Sequence, residues 1–445
     1  MEKIHPTTVV IFGATGDLFR KKLSAALLDL FSRDFLPKKF RIVAFSRRPW
    51  SREEFHKFMR ETFASNAVKV PIETIDRFLK SVYYVEGDLN NLESYNKVAQ
   101  LLSELDAKAG VCTNKLFYLA TPPTAYEGIL KNISASGLAI PCAPSKDQGE
   151  TGWTRILIEK PFGSDLKTAR EIDLLLSELF SENQIFRIDH YLAKETVQNI
   201  LTFRFVHSLL ERNWNNKFID RVEVKLLEKN DVGIRGSFYD GLGALRDVGQ
   251  NHLLELAALV AMEKPVSTGA VALQRARGDV LSKFKIWSGK DALAIRGQYN
   301  GYLEEAGVDK NSKTETYFKV KLALPTKRFK GVPFILESGK ALLESRAEVI
   351  VYFKKPISSF CVEDVCQIPD KFVVFKLHPD EIVKPKVDSL GAYEKVLSDA
   401  ILGDQTLFIS TDEVLAEWKI VRDIFKVWQL SKMVKYEKGI MPNIK

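Results

Sequence analysis

Short apolar runs and amphipathic stretches alternate along the first 190 residues of the chain. Stretches with helical spacing, such as Leu18–Phe31 and the segment that Ser51 and Glu54 introduce as a capping box, separate the runs. The runs that predict buried strands are Thr7–Phe12, Arg41–Phe45, Val82–Val85, Leu116–Ala120, Ile156–Glu159 and Ile185–Ile188. Strands separated by helices are typical of βαβ units, so we expect residues 1–190 to form an α/β, Rossmann-like, doubly wound domain with a mostly parallel sheet.

Partial alternation of apolar and polar residues replaces this rhythm from about Thr196 onward. The runs that predict strands in this part are Arg221–Leu227, Thr316–Leu324, Ala347–Phe353 and Phe372–Leu377. Long connections separate them, with one helical stretch at Leu245–Met262. We therefore expect residues 191–445 to form an α+β domain with a large, mainly antiparallel sheet. A chain of 445 residues also exceeds the size at which a single hydrophobic core stops growing.

Charge and composition narrow the class of protein. The net charge of +8 is spread along the chain with acidic residues between the basic ones, which does not predict a nucleic-acid partner. There is no run of about 18 apolar residues and no secretory-signal pattern, so we expect a cytoplasmic protein without a membrane partner. Four cysteines, Cys112, Cys142, Cys361 and Cys366, form no CxxC pair and no Cys/His cluster, so we expect reduced thiols and no metal site.

A glycine-containing loop joins the first predicted strand to the first helix. It consists of Gly13, Ala14, Thr15, Gly16, Asp17 and Leu18. Glycine permits a tight turn and lets backbone amides approach phosphates, and the helix N-terminus adds a partial positive charge. The spacing is GxxG rather than the full GxGxxG, so a βα turn without a ligand is the alternative. Its position at the first βα junction favours a dinucleotide pyrophosphate site.

The end of the second predicted strand distinguishes between coenzymes. NAD sites usually carry an acidic residue there for the ribose 2′-hydroxyl, whereas this chain has Arg47 and Arg48. Two arginines can bind a 2′-phosphate, which favours NADP over NAD; the alternative is a pair of solvated arginines. Asp88 and Leu89 follow the third strand and Thr121 follows the fourth, where they would line the adenosine and nicotinamide sides.

Two further blocks follow central strands and are polar. Lys160 comes directly after the apolar fifth strand, where it would point into the ligand crevice, or else end the strand as a surface lysine. His190, Tyr191 and Lys194 follow the sixth strand, and we expect them in the first turn of a helix. His190 and Lys194 would then share a helix face and bind a phosphate. The alternative is a capped helix with surface polar groups.

One histidine differs from the others in its surroundings. His252 ends a polar stretch that begins at Arg246 and that precedes a very apolar helix. Asp247 lies five residues earlier, about 140° around an α-helix, so we expect the two side chains on different faces. They could then contact different atoms of one ligand. A structural, hydrogen-bonded histidine is the alternative.

Several of these blocks agree with one family in order and spacing. GATGDL, YLATPP, EKPFG, RIDHYLAKE and RDVGQNHLLELAALVAMEKP resemble the motifs of glucose-6-phosphate dehydrogenases, from about Thr8 to Lys355 and more thinly beyond. The resemblance implies oxidation of D-glucose 6-phosphate at C1 to 6-phospho-D-glucono-1,5-lactone with reduction of NADP, the first step of the oxidative pentose phosphate pathway. It also implies a C-terminal domain that binds substrate and forms a homodimer or homotetramer.

The same resemblance assigns roles to residues. It makes His252 the general base that removes the C1 hydroxyl proton and Asp189 the carboxylate that orients it. The residues that match the substrate site are Lys160, His190, Tyr191, Lys194, Glu228, Asp247 and Lys340. The residues that match the coenzyme site are Gly13, Ala14, Thr15, Gly16, Asp17, Leu18, Lys22, Arg47, Arg48, Asp88, Leu89, Tyr126 and Lys160.

The chain departs from the family pattern in the substrate region. Five residues after Lys340, where the family usually has a second cation, it has Ser345, with Arg346 next to it. Lys376 and His378 stand where some members have arginine and glutamine.

Two other functions are alternatives to this one. The first is an NAD(P)-dependent oxidoreductase of a free sugar or polyol, which would not need the cluster His190, Tyr191 and Lys194. The second is an NADP-sensing or scaffolding protein, which would have lost the base or its partner. Both His252 and Asp189 are present, which favours an enzyme.

Overall fold

The computed structural model describes residues 5–142, 152–206, 208–354, 371–377 and 390–442. The chain forms two compact units. The first unit contains Met1–Gly163, Lys167–Ala193 and Lys386–Thr411, and the second contains Ser164–Leu166, Lys194–Pro385 and Asp412–Lys445. The change of pattern near residue 190 gave no sign that a segment late in the chain belongs to the first unit.

Two sheets account for the strands. The strands of the first unit are β1 (Thr7–Phe12), β2 (Phe40–Ser46), β3 (Val82–Glu86), β4 (Asn114–Leu119), β5 (Thr154–Glu159), β6 (Ile185–Ile188) and, late in the chain, β14 (Phe408–Ile409). Those of the second unit are β7 (Ile219–Leu227), β8 (Lys285–Ile286), β9 (Ala294–Tyr299), β10 (Tyr317–Ala323), β11 (Pro333–Gly339), β12 (Arg346–Phe353), β13 (Lys371–Lys376) and β15 (Val434–Tyr436).

Helices connect the strands in both units. The α-helices, in chain order, are α1 (Ser24–Ser32), α2 (Arg52–Ser65), α3 (Ile72–Lys80), α4 (Leu92–Ala109), α5 (Tyr126–Ala135), α6 (Leu166–Ser177), α7 (Glu195–Val206), α8 (Ser208–Asn213), α9 (Gly236–Tyr239), α10 (Leu254–Ala261), α11 (Ala270–Leu281), α12 (Ala392–Leu402) and α13 (Thr411–Gln429). Two π-helices, Phe19–Leu23 and Leu245–Leu253, precede α1 and α10.

The sheet of the first unit has the strand order β14-β6-β5-β4-β1-β2-β3. β1 pairs in parallel with both β2 and β4, and among the strands of the described residues in this sheet only β14 is antiparallel. Helices cover the strands, and all six residues of β1 are buried, which explains why the strands appear as continuous apolar runs. The predicted doubly wound fold is confirmed, and the carboxyl ends of β1 to β6 lie along one edge of the sheet.

The late segment of the first unit completes its core. Val396, Leu397 and Ile401 of α12 belong to the same apolar cluster as the strands and helices of the N-terminal part. The Phe408 ring of β14 meets the Phe186 ring edge-on, with 4.8 Å between centroids. Arg155 donates hydrogen bonds of 2.8 and 2.7 Å to two carbonyl groups at the end of α12.

The sheet of the second unit has the order β13-β12-β7-β11-β10-β9-β15, with β8 paired to β10. The pairs β7–β11 and β9–β15 are parallel and the others are antiparallel, which confirms the mainly antiparallel prediction. The expectation of one helical stretch is wrong, because α11 and the long α13 also belong to this part of the chain. The buried apolar residues of α13 follow helical spacing, so the sequence pattern alone could have indicated this helix: Val414, Trp418, Val421, Ile424 and Trp428.

Two local predictions have clear outcomes. The Ser51 side chain accepts the Glu54 N–H at 3.2 Å and the Ser51 N–H donates to the Glu54 carboxylate at 2.7 Å, so the capping box is confirmed. Among the described residues, none of the helices is both long and apolar enough to cross a membrane.

The expectation of reduced thiols is wrong for one pair. Cys112 and Cys142 form a disulfide, with their Cα atoms 6.1 Å apart. The chain between them contains β4 and α5, so the bond closes a loop of the first unit. Sequence spacing did not indicate this pair because disulfide geometry depends on the fold. Cys361 and Cys366 lie outside the described residues.

We expect reduction of the Cys112–Cys142 disulfide to lower the free energy of unfolding by about 2–4 kcal/mol, because the open loop gains freedom in the unfolded chain. Urea titrations with and without dithiothreitol measure this difference. The double variant Cys112→Ser/Cys142→Ser keeps the other two cysteines and should not respond to the reductant. An equal response of the wild type and the double variant would contradict this expectation.

Candidate active site

The Gly13 loop follows β1 at the carboxyl edge of the first sheet. The N–H groups of Gly13 and Ala14 both donate to the Phe45 carbonyl, at 3.1 and 3.2 Å, and Gly16 N–H bonds back to the Gly13 carbonyl at 2.9 Å. Gly13 has φ +85°, and a Cβ there would lie 2.5 Å from the carbonyl oxygen of Ala120. Only glycine fits this turn, which brings the start of the following helix close to the sheet edge.

The helix after the glycine loop begins with a π-helical turn, Phe19–Leu23. Lys22 lies in this turn and is exposed. Asp17 is also exposed and pairs with Lys21 at 2.9 Å, and this lysine lowers the pKa of the Asp17 carboxyl below its usual value. The predicted coenzyme residues of the loop therefore surround one helix N-terminus, which is a favourable position for an anion.

The end of β2 is joined to the glycine loop by a hydrogen bond between hydroxyl groups. Thr15 Oγ1 lies 2.9 Å from Ser46 Oγ, and the Arg48 N–H donates to the same Ser46 hydroxyl at 3.3 Å. Arg47 is exposed, while the Arg48 guanidinium lies 4.7 Å from the centre of the Trp50 ring. Sequence reasoning missed Ser46, whose role becomes visible only when the two loops lie side by side.

The ends of β3 and β4 continue the same edge. Asp88 is exposed, and its Oδ1 accepts the Asn90 N–H at 2.8 Å. The Leu89 carbonyl accepts hydrogen bonds from the Tyr95 hydroxyl and the Asn132 amide, at 2.8 and 3.1 Å. These contacts fix the loop after β3 against α4 and α5.

Glu159 ends β5, and Lys160 follows it and precedes a cis peptide bond to Pro161. The Tyr118 hydroxyl donates to the Glu159 carboxylate at 2.6 Å, and the Tyr126 hydroxyl donates to the Glu159 carbonyl at 2.9 Å. Burial raises the pKa of the Glu159 carboxyl to about 7, against the lowering effects of Tyr118 and Lys160. Tyr126 is therefore a buried support for the end of β5, and Lys160 follows a firmly held strand.

The segment after β6 corrects one prediction. Residues 190–194 form turns, and the helix begins only at Glu195, so His190 and Lys194 do not share a helix face. Asp189 is 1% exposed, and its Oδ1 accepts the Tyr191 N–H at 2.8 Å. A carboxylate that bonds the N–H two residues ahead favours a turn over a helix. The His190 ring lies near the Tyr191 and Tyr393 rings, with 5.1 and 6.4 Å between the ring centroids.

The second unit carries His252 on the π-helix Leu245–Leu253. Hydrogen bonds in a π-helix join residues five apart, so each residue lies roughly one turn from the fifth residue before it. Asp247 and His252 therefore lie on the same side of this helix, and the expectation of different faces, which assumed α-helical geometry, is wrong. His252 is 1% exposed, whereas Asp247 is only partly buried.

This π-helix is tied to its surroundings at several points. A Cβ on Gly249 would lie 2.8 Å from the Phe318 ring of β10, so the glycine lets the helix pack closely on the sheet. The buried Gln250 amide donates to the Glu417 carboxylate of α13 at 2.8 Å. The Asn251 side chain accepts the His252 N–H at 2.6 Å and donates to the Asp247 carbonyl at 3.1 Å.

Glu228 and Lys340 form an ion pair where β7 and β11 end. The Lys340 ammonium group lies 2.8 Å from both carboxylate oxygens of Glu228, and Lys340 is 3% exposed. The buried Tyr239 ring lies 5.4 Å from the same ammonium group. Burial and the negative charges of Asp247 and Glu315 raise the pKa of Tyr239 well above its usual value. Tyr239 thus lies close to the ion pair, a position that the sequence did not indicate.

The described residues at which the chain departs from the family pattern lie near the ends of β12 and β13. Ser345 accepts the Lys229 N–H at 3.0 Å, and the Arg346 guanidinium pairs with Glu344 and Glu348 at 2.6 and 3.3 Å. Lys376 ends β13 and is exposed, and His378 lies outside the described residues.

Sequence reasoning also missed Glu315, the second residue before β10. It is 4% exposed, and its carboxylate accepts the Leu245 N–H at 3.0 Å. Burial raises the pKa of this carboxyl to about 7, against the lowering effects of that hydrogen bond and of Arg246 and Arg296. A lone acidic residue before an alternating strand was the only sign of it in the sequence.

Comparison with known proteins gives matches over both units. Residues 10–199 match the family described as glucose-6-phosphate dehydrogenase, NAD binding domain. Residues 201–391 and 384–443 match the glucose-6-phosphate dehydrogenase C-terminal domain. The glucose-6-phosphate 1-dehydrogenase of Chlamydia muridarum is 36% identical over 95% of this chain and 90% of its own length. That of Bacillus subtilis is 32% identical over 97% of this chain and 94% of its own length.

Solved structures give the same result. The crystal structure of the glucose-6-phosphate 1-dehydrogenase from Mycobacterium avium has a TM-score of 0.83 and 30% identity, and covers 98% of this chain and 96% of its own. A glucose-6-phosphate dehydrogenase in complex with its substrate has a TM-score of 0.86 and 28% identity, and covers 100% and 96%. Because these matches extend over the glycine loop, the π-helix and nearly the whole of each relative, the chain belongs to the glucose-6-phosphate dehydrogenase family.

Proposed function

We propose that this protein oxidises D-glucose 6-phosphate at C1 to 6-phospho-D-glucono-1,5-lactone, with hydride transfer to NADP. One observation carries the proposal: the first unit aligns the Gly13 loop, Lys160 and the turn that begins at Asp189 along one edge of a mostly parallel sheet. In the doubly wound fold this edge is where ligands bind. The names of the relatives, one of which was solved with glucose 6-phosphate, support the same reaction.

The residues present fit a dinucleotide. The Gly13 loop leads into a helix N-terminus, where a pyrophosphate is favoured, and no acidic residue stands at the end of β2. Arg47 and Arg48 would bind the 2′-phosphate of NADP. Asp88, Leu89 and the Tyr126-supported end of β5 would line the rest of the coenzyme. The coenzyme supplies the hydride acceptor; the protein binds and orients.

Three groups in the turn after β6 would bind the substrate phosphate. His190, Tyr191 and Lys194 offer a ring N–H, a phenol and an ammonium, and charge-assisted bonds to phosphate are strong. Lys160 would position the sugar. In the second unit, Glu228, Asp247 and Lys340 would hold sugar hydroxyl groups. An enzyme that acts on a free sugar or polyol needs no such phosphate-binding cluster, so this alternative function is not favoured.

His252 is proposed as the general base. Its imidazole takes the C1 hydroxyl proton as the C1–H bond delivers its electron pair to the coenzyme, and the C1=O bond of the lactone forms. The usual pKa of histidine, about 6.5, suits a base that works near neutral pH. Asp189 is proposed to orient the imidazole and to stabilise its charged form. The Tyr191 N–H bond to Asp189 supports an ionised carboxylate.

We further propose a homodimer or homotetramer and a cytoplasmic location. Membership of the family supports both, and the second unit, with its large sheet, would form the subunit interface.

Glucose 6-phosphate should be the far better substrate. We expect its kcat/KM to exceed that of glucose by at least about 100-fold, because two charge-assisted hydrogen bonds are each worth about 1.5–3 kcal/mol. Steady-state kinetics with both sugars at saturating NADP measure this ratio. Comparable activity on both would favour the free-sugar reading.

Replacement of the proposed base should remove the chemistry but not the fold. His252→Asn is expected to lower kcat by at least about 100-fold, within the usual range for general acid–base groups. His56→Asn is the matched control, since His56 lies on α2 and bonds to the Val82 carbonyl. If His252→Asn turns over within tenfold of the wild type, His252 is a structural histidine and not the general base. That result would also favour the NADP-sensing or scaffolding alternative.

Coenzyme preference should follow Arg47. We expect Arg47→Asp to raise the KM for NADP by about tenfold or more and to change the KM for NAD by less than threefold, because only NADP carries the 2′-phosphate. Lys57→Asp makes the same change in net charge at an exposed residue of α2, and it should change neither the KM for NADP nor the KM for NAD. A wild-type enzyme that strongly prefers NAD would overturn the assignment of Arg47 and Arg48.

A further inference from the structure

The proposed sugar-binding groups of the second unit lie on separate elements. Asp247 and His252 belong to the π-helix, whereas Glu228 and Lys340 follow β7 and β11. Each pair can hold a different part of one sugar only if the distance between the elements is fixed. A displacement of about 1 Å between reacting groups can cost a factor of roughly 100 in rate.

The dipeptide Glu315–Thr316 touches both elements. Glu315 holds two successive N–H groups at the start of the π-helix: its backbone carbonyl accepts the Ala244 N–H at 3.0 Å, and its carboxylate accepts the Leu245 N–H at 3.0 Å. Gly243 makes this possible, because a Cβ there would lie 2.4 Å from the carboxylate oxygen of Glu315.

Thr316 holds the other element. Its carbonyl accepts the Lys340 N–H at 2.9 Å, and its hydroxyl lies 2.8 Å from the Tyr436 hydroxyl. The Tyr436 hydroxyl in turn donates to the Lys340 carbonyl at 2.8 Å. Thr316, Tyr436 and Lys340 are all buried, so water does not compete for these bonds.

The Glu315 carboxylate is well suited to this position. It lies at the N-terminus of a helix, where the partial positive charge favours an acidic group; burial raises its pKa to about 7, and Arg246 and Arg296 act in the opposite direction. Removal of the carboxylate would leave the Leu245 N–H buried without its acceptor, which is costly. The start of the π-helix would then be free to shift relative to β10.

We propose that Glu315 is a positioning residue for the dehydrogenase reaction: it fixes the π-helix that carries Asp247 and His252 against the strand that fixes Lys340. This rests on the roles proposed above for His252 and Lys340. Glu315 touches neither substrate nor coenzyme in this scheme and acts through the backbone of residues 244 and 245.

Three variants of Glu315 test the proposal. Glu315→Ala removes the acceptor, Glu315→Met removes it while it fills the same space, and Glu315→Gln keeps an oxygen that can accept the Leu245 N–H. We expect the alanine and methionine variants to lower kcat at least tenfold and to leave the KM for the coenzyme within twofold. The glutamine variant should recover kcat to within about threefold of the wild type. The methionine variant keeps the test valid if the alanine variant does not fold.

Two further readouts separate positioning from stability. Glucose 6-phosphate deuterated at C1 should give a larger isotope effect on kcat with Glu315→Met than with the wild type, because slower hydride transfer limits turnover. Glu337→Ala is the matched control: Glu337 is 3% exposed, accepts the Tyr317 hydroxyl at 2.7 Å and lies on the sheet face away from the π-helix. This control should lower the melting temperature and leave kcat unchanged.

The outcomes are distinguishable. An unchanged kcat of folded Glu315→Met, or an equal loss of kcat in Glu337→Ala, would overturn the role of Glu315. If His252→Asn is inactive while Glu315→Met matches the wild type, only this inference fails. If His252→Asn keeps full turnover, the proposed function of the site fails with it.

Discussion

The hydrogen bonds of Leu245–Leu253 join residues five apart, and this spacing determines what the second unit can present to a ligand. In an α-helix, Asp247 and His252 would point in different directions. In the π-helix they share a side, while Gly249 packs against Phe318 on the opposite side. Such helices are rare and are frequently found at functional sites. Here support comes from buried side chains, including Gln250, on more than one element.

The first unit carries the strand ends that are proposed to bind the coenzyme, a polyanion. Its parallel strands end along one edge, so residues that are far apart in sequence, such as Gly13 and Lys160, follow neighbouring strands. Hydroxyl contacts hold these loops to one another: Thr15 to Ser46, and Tyr126 to the end of β5. The groups proposed to bind coenzyme therefore stand on rigid strand ends, whereas Asp247, one of the groups proposed to bind sugar hydroxyls, depends on a helix held by buried acids.

The elements that the sequence predicted correctly are those that depend on residues close together in the chain. The buried strand Thr7–Phe12 and the cap at Ser51 were predicted at their observed positions because burial and capping depend on adjacent residues. The Cys112–Cys142 bond and the turn after Asp189 were not, since the bond depends on a partner distant in sequence and the turn on one side-chain hydrogen bond. The π-helix was not predicted either, because the spacing of apolar residues does not reveal a five-residue hydrogen-bond register.

The return of the chain to the first unit at Lys386–Thr411 has a consequence for biosynthesis. Most N-terminal domains can fold on the ribosome once their own residues have emerged. Here β14 and α12, which fill part of the first core, are translated after the strands β7 to β13 of the second unit. The nascent chain must therefore keep an incomplete nucleotide-binding core, with the apolar surface around Phe186 exposed, until translation has passed residue 411.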